Sequence, residues 1–297
     1  MRHICFPVMR TFEYLEQELK ATVTSSSPIG GGDFAAAFHV HLNIGQQLFV
    51  KTHKNPPPFF FSTEAAGLQW LAKGPVSVPK VLLVSDEPPL LALEWIGAGS
   101  NHSRPNSAIE SGEGTFGKHM AQLHQLRFDQ FGRPDGRTTG SLALPNTKEK
   151  SWPEFFANCR LLPLAKICSD RKTISANSIQ GVEQIAQRLH EWGAADEAPA
   201  LLHGDLWAGN RMVDQLGQSW LIDPAAHGGH REFDLAMMRL FGGFGEDCFS
   251  AYNDVFPLQP GWQQRVHLHQ LAPLLVHAIK FGGHYVDAVD QVIAEFV

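Results

Sequence analysis

Asp205 and Asn210 stand five positions apart in the stretch HGDLWAGN, His203 to Asn210. At that separation a single loop can turn both side chains toward one cleft. A carboxylate there can accept or orient the proton of an attacking hydroxyl. A neutral amide oxygen beside it can ligate magnesium, a hard cation that takes oxygen donors. This is the division of labour that phosphoryl transfer requires, with Asp205 as base and Asn210 as metal ligand. Thirteen residues past Asn210, the apolar run Trp220-Leu221-Ile222 ends in Asp223-Pro224. A carboxylate at the end of a short strand suits the main metal ligand, so Asp223 takes that role. His203 reads as a histidine bracing the loop rather than as a catalyst.

Upstream, Lys51 closes the strand Leu48-Phe49-Val50-Lys51, and Glu64 lies in the first turns of the following helix. A lysine so placed can contact nucleotide phosphates while the glutamate pairs with it. Gly30-Gly31-Gly32 precedes them, and glycines let backbone N–H groups approach phosphate closely. Each piece has a plainer reading alone. Asp205 and Asn210 could cap turns, Asp223-Pro224 could start one, and the glycines could be one. In this order (Gly loop, Lys, Glu, H-x-D-x4-N, Asp after a strand) they match the protein-kinase signature set, with Gly204 where that set has Arg. No A-P-E segment follows Asp223, which argues against a protein substrate of the kinase type.

The elements that must position these groups follow from periodicity. Phe12, Leu15 and Leu19 recur at helical spacing over 11–21, and Ser25-Ser26-Ser27-Pro28 reads as a break. Strands are expected over 36–42, 47–51, 76–84 and 90–95, with a helix over 60–72. A flexible connection at Gly97-Ala98-Gly99-Ser100 divides a nucleotide-binding lobe, 1–96, from a catalytic and substrate-binding lobe, 97–297. Beyond it, helices are expected over 114–125, 152–168, 179–192, 233–241, 263–281 and 286–296, and irregular chain over 129–150. The fold class is therefore α+β: a bilobal, kinase-like fold with a small β-rich first lobe and a larger helical second one.

Composition bounds the partners. With 297 residues, 43% hydrophobic and 18% charged, the chain can bury a sizeable core. Its net charge of −6 argues against nucleic acid or an anionic membrane as partner. The four cysteines form no C-x-x-C pair, as expected of reduced thiols in the cytoplasm, and no apolar run reaches spanning length. Among fifteen histidines, the pairs His227/His230 and His267/His269 lack the spacing of a metal motif and read as structural. Nothing in the sequence specifies an oligomeric state.

Two longer stretches narrow the reading. HGDLWAGN and IDPAAHGGHREFDLAMMRLFGGF, Ile222 to Phe244, resemble the fructosamine/ketosamine kinase family. So do Trp152, Phe155, Phe156, Arg160 and Leu161, and the tail around Leu274, Leu275, His277, Phe281, Gly282 and Tyr285. The resemblance spans almost the whole chain. It implies an ATP- and magnesium-dependent kinase, related to aminoglycoside and choline kinases, that phosphorylates O-3 of ketosamines, small or protein-bound, and so frees the amine. It further implies that Asp205 is the base, that Asn210 and Asp223 hold magnesium, and that Lys51 holds phosphates. The backbone near Glu94, Trp95 and Ile96 would grip adenine. Trp207 would lie against the sugar or else pack as a plain indole, and His277 is a substrate-side candidate. Glu232 and Asp234 would brace the lobe. The chain departs from the family's pattern at Asp33-Phe34-Ala35-Ala36 after the glycines and at Val276-His277. An aminoglycoside- or choline-type kinase is the neighbouring alternative. A non-catalytic nucleotide-binding pseudokinase is the other, against which Lys51, Asp205 and Asp223 are all retained.

Overall fold

A computed structural model describes residues 6–30, 34–97, 112–192 and 194–297, with side chains from residue 10 onward. Helix α1 (Phe6–Leu19) precedes β1 (Val23–Ile29), β2 (Ala36–Leu42) and β3 (Gln47–Thr52). Helix α2 (Phe60–Leu71) then leads to β4 (Val81–Asp86) and β5 (Pro89–Glu94). The strands form one antiparallel sheet in the order β1-β2-β3-β5-β4.

Alternation along β3 sorts its side chains between two faces. Leu48 and Val50 join Val40, Leu42, Leu90 and Ala92 in a core closed by Phe12 and Leu15 of α1. Phe49 packs with Leu91 and Leu93 on the other face, against Phe61, Ala65 and Leu68 of α2. Lys51 follows Val50 and pairs with Leu91, so it stands on the face that α2 covers.

The chain continues through α3 (Gly112–His124), α4 (Trp152–Phe156), α5 (Leu162–Arg171) and α6 (Ala176–Arg188). Short strands β6 (Ala200–Leu202), β7 (Arg211–Val213), β8 (Ser219–Leu221) and β9 (His227–Gly229) come next. They pair as β6 with β9 and β7 with β8. Helices α7 (Glu232–Leu240), α8 (Glu246–Val255), α9 (Trp262–Phe281) and α10 (His284–Phe296) complete the chain. One core joins α4, α5, α6, α9 and α10 through Trp152, Leu164, Ile185, Leu271 and Val292. A second joins α3 to α8 through Phe116, Met120, Phe249 and Tyr252 and includes Leu206 and Leu221. The two small ladders matter most: the HGDLWAGN loop spans β6 to β7, and Asp223 falls between β8 and β9. No helix among the described residues is long and apolar enough to cross a membrane.

The α+β class stands: an antiparallel N-terminal sheet and a helical C-terminal part. Local differences have physical reasons. The expected break at Ser25–Pro28 is instead strand β1, paired from Val23↔Leu42 to Ile29↔Ala37. It is an edge strand, where proline forfeits no ladder partner and half-exposed hydroxyl residues show no apolar alternation. The strand expected from Val76 begins at Val81, and Ser77 instead bridges to β8, accepting from Leu221 N–H at 2.8 Å. The single helix expected over 152–168 is split by a wide π turn at Ala157–Leu161. Pro163 lies in the first turn of α5, where it cannot donate to the preceding turn. Helix α8 has no counterpart in the sequence reading. Its Cys248, Phe249 and Tyr252 face α3, but Ser, Asn and Asp dilute the pattern. Beyond Gly97, the expected inter-lobe connection lies outside the described residues, as do Gly31, Gly32 and Asp33.

Candidate active site

Asp234 fixes the HGDLWAGN loop from below. Its Oδ2 accepts from the backbone N–H of His203 at 2.7 Å and its Oδ1 from that of Gly204 at 2.9 Å. Burial alone would raise the pKa of this carboxyl. The hydrogen bond and charge of His124, with the Gly204 N–H, outweigh that and hold it below the usual range. His124 is itself held by the Tyr252 hydroxyl at 2.8 Å.

His203 is fully buried and braces the loop. Its Nδ1 accepts from the Asp205 N–H at 3.3 Å, which leaves Nε2–H to donate to Ile222 O at 3.0 Å. Burial keeps the imidazole pKa low and the ring neutral. The Ile222 N–H donates to Asn210 O at 3.0 Å, so the loop and the strand that delivers Asp223 are stitched together. Gly204 explains the missing arginine of the kinase pattern. Its φ is +80°, and a Cβ there would lie 2.3 Å from the carbonyl oxygen of Ala225.

Asn210 donates from Nδ2 to the Asp205 carbonyl at 2.8 Å and to Asp205 Oδ2 at 3.1 Å. That orients the Asp205 carboxylate and turns the amide oxygen Oδ1 away from it. Asp205 is partly open to the cleft, yet burial of its carboxyl pushes the pKa up to about 7, with the negative charge of Asp223 adding to the shift. The Asn210 hydrogen bond and the charge of Lys280 oppose it.

Asp223 has a left-handed backbone, φ 55°, which Asp tolerates better than most residues. Its Oδ1 meets Lys51 Nζ at 2.5 Å, and the same ammonium donates to Glu64 Oε1 at 2.8 Å. Burial would lower the Lys51 pKa, but Glu64 and Asp223 together raise it and keep the ammonium charged. Lys51, Glu64, Asp205, Asn210 and Asp223 are therefore one linked constellation. The partly exposed Asp223 carboxylate and the Asn210 amide oxygen are both hard donors of the kind magnesium takes.

The residues expected to hold the nucleotide are more spread out. Gly30 follows β1 and is exposed. Glu94 N–H donates to Lys80 O, its carboxylate accepts from Lys80 N–H, and Trp95 N–H donates to Gln47 O. Ile96 follows immediately beyond the sheet.

Of the two expected substrate residues, Trp207 is 39% exposed and meets Phe241 edge-on at 5.9 Å. Phe241 lies 5.0 Å from the His277 ring, which also contacts Phe281 and Tyr285. His277 Nδ1–H donates to Pro273 O at 2.8 Å, which fixes the ring's orientation. The two substrate candidates are thus joined through Phe241.

Several contributors escape sequence reasoning. Lys280, one turn past His277, brings a positive charge toward Asp205. The fully buried Arg133 donates to Ala226 O at 2.6 Å and stacks over Trp70 of α2, tying the segment after Asp223 to that helix. Only the i, i+3 relation of Lys280 to His277 on one helix offered a signal. Glu232 and Asp234 brace the lobe as expected. His230, Glu232 and His269 converge, buried, within 4.8 Å. Glu232 there already accepts from Nε and Nη2 of Arg265, at 2.8 and 2.5 Å, and His230 Nε2–H donates to Ala194 O, so the cluster is a structural strut.

Comparison with known proteins completes the picture. The profile described as fructosamine kinase matches residues 8–297. A probable ketoamine kinase of Enterococcus faecium is 33% identical over 272 residues, 91% of this chain and 94% of that protein. The chloroplastic protein-ribulosamine 3-kinase of Arabidopsis thaliana is 31% identical over 96% of this chain and 86% of its own length. A solved structure described as a candidate fructosamine-3-kinase of Thermobifida fusca superposes with TM-score 0.85 at 34% identity, covering 96% of this chain and 97% of that one. Solved macrolide and aminoglycoside phosphotransferases share the fold alone, at 12–15% identity. On both sequence and structure, this chain belongs to the fructosamine kinase family.

Proposed function

We propose that this ketosamine kinase transfers the γ-phosphoryl group of ATP to the 3-hydroxyl of a ketosamine, a fructosamine or ribulosamine, small or protein-bound. The observation that carries the reading is the Asp205 carboxyl. It is oriented by Asn210, poised near pH 7 by burial, and neighbours an ammonium–carboxylate pair suited to phosphates and a cation. Asp205 accepts the proton of the attacking hydroxyl as the O–P bond forms and the γ-phosphoryl leaves ADP. Lys51, held by Glu64, contacts the nucleotide phosphates. Asp223 and Asn210 would hold magnesium, which neutralises phosphate charge when bound. Trp207 and His277 flank the sugar.

In this reading residues 1–96 form the nucleotide lobe and 97–297 the catalytic and substrate lobe. The backbone of Glu94 to Ile96 lines the base site, and the enzyme works in the cytoplasm, where ATP is abundant.

The test is phosphate transfer from Mg·ATP to fructose-lysine, ribulose-lysine, free ribulose, choline and an aminoglycoside, with Asp205→Asn as control. Turnover of a ketosamine that the variant loses supports the assignment. Turnover confined to choline or the aminoglycoside sinks it, as does ATP binding with no turnover of any acceptor.

A further inference from the structure

One turn of the C-terminal part grips α2 at both ends. The guanidinium carbon of Arg133 lies 4.2 Å from the centre of the Trp70 ring, near the end of α2. That of Arg137 lies 4.7 Å from the centre of the Phe59 ring, just before α2 begins. Asp135 stands between the two arginines. Its Oδ1 and Oδ2 accept from Nε and Nη2 of Arg133, each at 2.9 Å, and Oδ1 also accepts from the Arg137 N–H at 3.1 Å. Such a forked, charge-assisted pair fixes direction as well as distance.

The turn is rooted in the helical part. Gly132 exchanges two backbone hydrogen bonds of 2.8 Å with Gly228 of β9, and the Gly136 N–H closes the turn on Arg133 O at 3.0 Å. Asn146 Nδ2 donates to Arg137 O at 3.0 Å, and Asn146 Oδ1 accepts from the buried Arg160 at 2.8 Å. Helix α2, by contrast, has no side chain capping its first turn, and Phe59 is half-exposed. A helix end without a cap depends on tertiary contacts for its place.

Glu64 falls between the two grips, five residues after Phe59 and six before Trp70. Those steps are about 7.5 and 9 Å along the helix axis. Glu64 is where α2 reaches the site, accepting from Lys51 Nζ at 2.8 Å. A tilt of α2 about either end carries Glu64 off Lys51, and the ammonium then follows Asp223 alone.

We propose that Arg133, Asp135 and Arg137 form a positioning clasp that keeps α2 docked on the C-terminal part, so that Lys51 meets the nucleotide phosphates already set by Glu64. The three act through Glu64 and not on the substrates. This rests on the phosphotransfer reading of the same cleft.

The test compares wild type with Arg137→Ala, Phe59→Leu, the two combined, and Phe59→Tyr. Both side chains are partly exposed, so these changes leave the buried cores intact. Mg·ADP affinity is read by calorimetry, the KM values for ATP and fructose-lysine by steady-state kinetics, and Tm in parallel. An exposed cation–π contact corresponds to roughly 2- to 5-fold in an equilibrium. Arg137→Ala and Phe59→Leu should each weaken Mg·ADP binding and raise the ATP KM by about that factor, since affinity falls with the fraction of chains in which α2 is docked. The KM for fructose-lysine stays unchanged. The combined variant matches the single ones, because each removes the same contact. Phe59→Tyr keeps a ring under the guanidinium and behaves as wild type. A lower Tm with unchanged Mg·ADP affinity and ATP KM in both single variants makes the contact merely structural and overturns the clasp. So does a Phe59→Tyr variant as impaired as Phe59→Leu, or additive losses in the combination. If wild type binds Mg·ADP but turns over no acceptor, the phosphotransfer reading fails instead, and the clasp stands or falls on the Mg·ADP affinities.

Discussion

Lys51 and Asp223 meet directly, Nζ to Oδ1 at 2.5 Å, across 172 positions of sequence. The contact joins the N-terminal sheet to the loop after β8, and Glu64 completes it from α2. One ammonium thus serves two carboxylates, one of which is buried. Lys51→Met leaves both without counter-charge, and stranding a buried carboxylate costs about 3–5 kcal/mol. The expected result is a large fall in urea midpoint together with loss of turnover. Adding Glu64→Gln to Lys51→Met removes the stranded charge. The double variant should regain part of the stability and none of the activity. Additive losses in both would show that the pair is not the unit described.

Asp205 should write its ionisation into the pH profile. If Asp205 is the proposed base, its carboxyl, raised to about 7, must be deprotonated to accept the hydroxyl proton. In wild type, kcat/KM is therefore flat above about pH 7 and falls toward tenfold per pH unit below it. Asp205→Asn should lower kcat by about 10²–10⁴-fold and remove that acid limb. The sign for stability is opposite to that of a salt-bridged carboxylate. Between its ordinary 3.8 and about 7 the folded protein binds the extra proton, so this group makes the fold less stable as pH rises. With metal chelated, Asp205→Asn should accordingly flatten the fall in Tm between pH 5 and 8. An acid limb that persists in the variant would assign the titration to another group.

Gly67 of α2 lets that helix lie directly on the segment after Asp223. A Cβ there would sit 3.1 Å from Ala226 Cβ and 3.3 Å from Pro224 Cγ. Gly67→Val overfills this contact, for which a cost of about 1–3 kcal/mol is ordinary. It also pushes α2, and with it Glu64, away from Lys51. Turnover should fall by at least about tenfold, with a rise in ATP KM, while Gly67→Ala is milder in both. A variant that loses stability without any change in ATP KM would separate this contact from the site.

What could be read in advance divides along physical lines. Asp205 and Asn210 are legible because their chemistry needs a short, fixed spacing on one loop. Lys51, Glu64 and Asp223 are legible only as an order along the chain, since the 2.5 Å contact is made by folding. Gly204 departs from the kinase pattern, and its reason lies in Ala225, whose carbonyl occupies the space of a side chain. The strand β1 stays hidden because an edge strand of hydroxyl residues and proline has no apolar period. His230 and His269 read as separate structural histidines, yet Glu232 and Arg265 gather them into one strut. Lys280 and Arg133 act on the site from distant segments, and one-dimensional spacing carries no trace of that.

Trp207 offers the sharpest separation of acceptor from nucleotide, because its indole lies against Gly209. A Cβ at Gly209 would fall 2.2 Å from Trp207 Cη2 and 2.5 Å from Cζ2 and Cζ3. Gly209→Ala must therefore displace the indole. Trp207 is 39% exposed, so it can swing outward at little cost to the fold. If the indole flanks the sugar, Gly209→Ala raises the KM for fructose-lysine severalfold, as Trp207→Ala does, and leaves the KM for ATP unchanged. In the Trp207→Ala background the Gly209→Ala change should then have no further effect, since the ring through which it acts is gone. Equal losses of the two substitutions in combination, or a shift in ATP KM instead, would return Trp207 to the role of a packed indole.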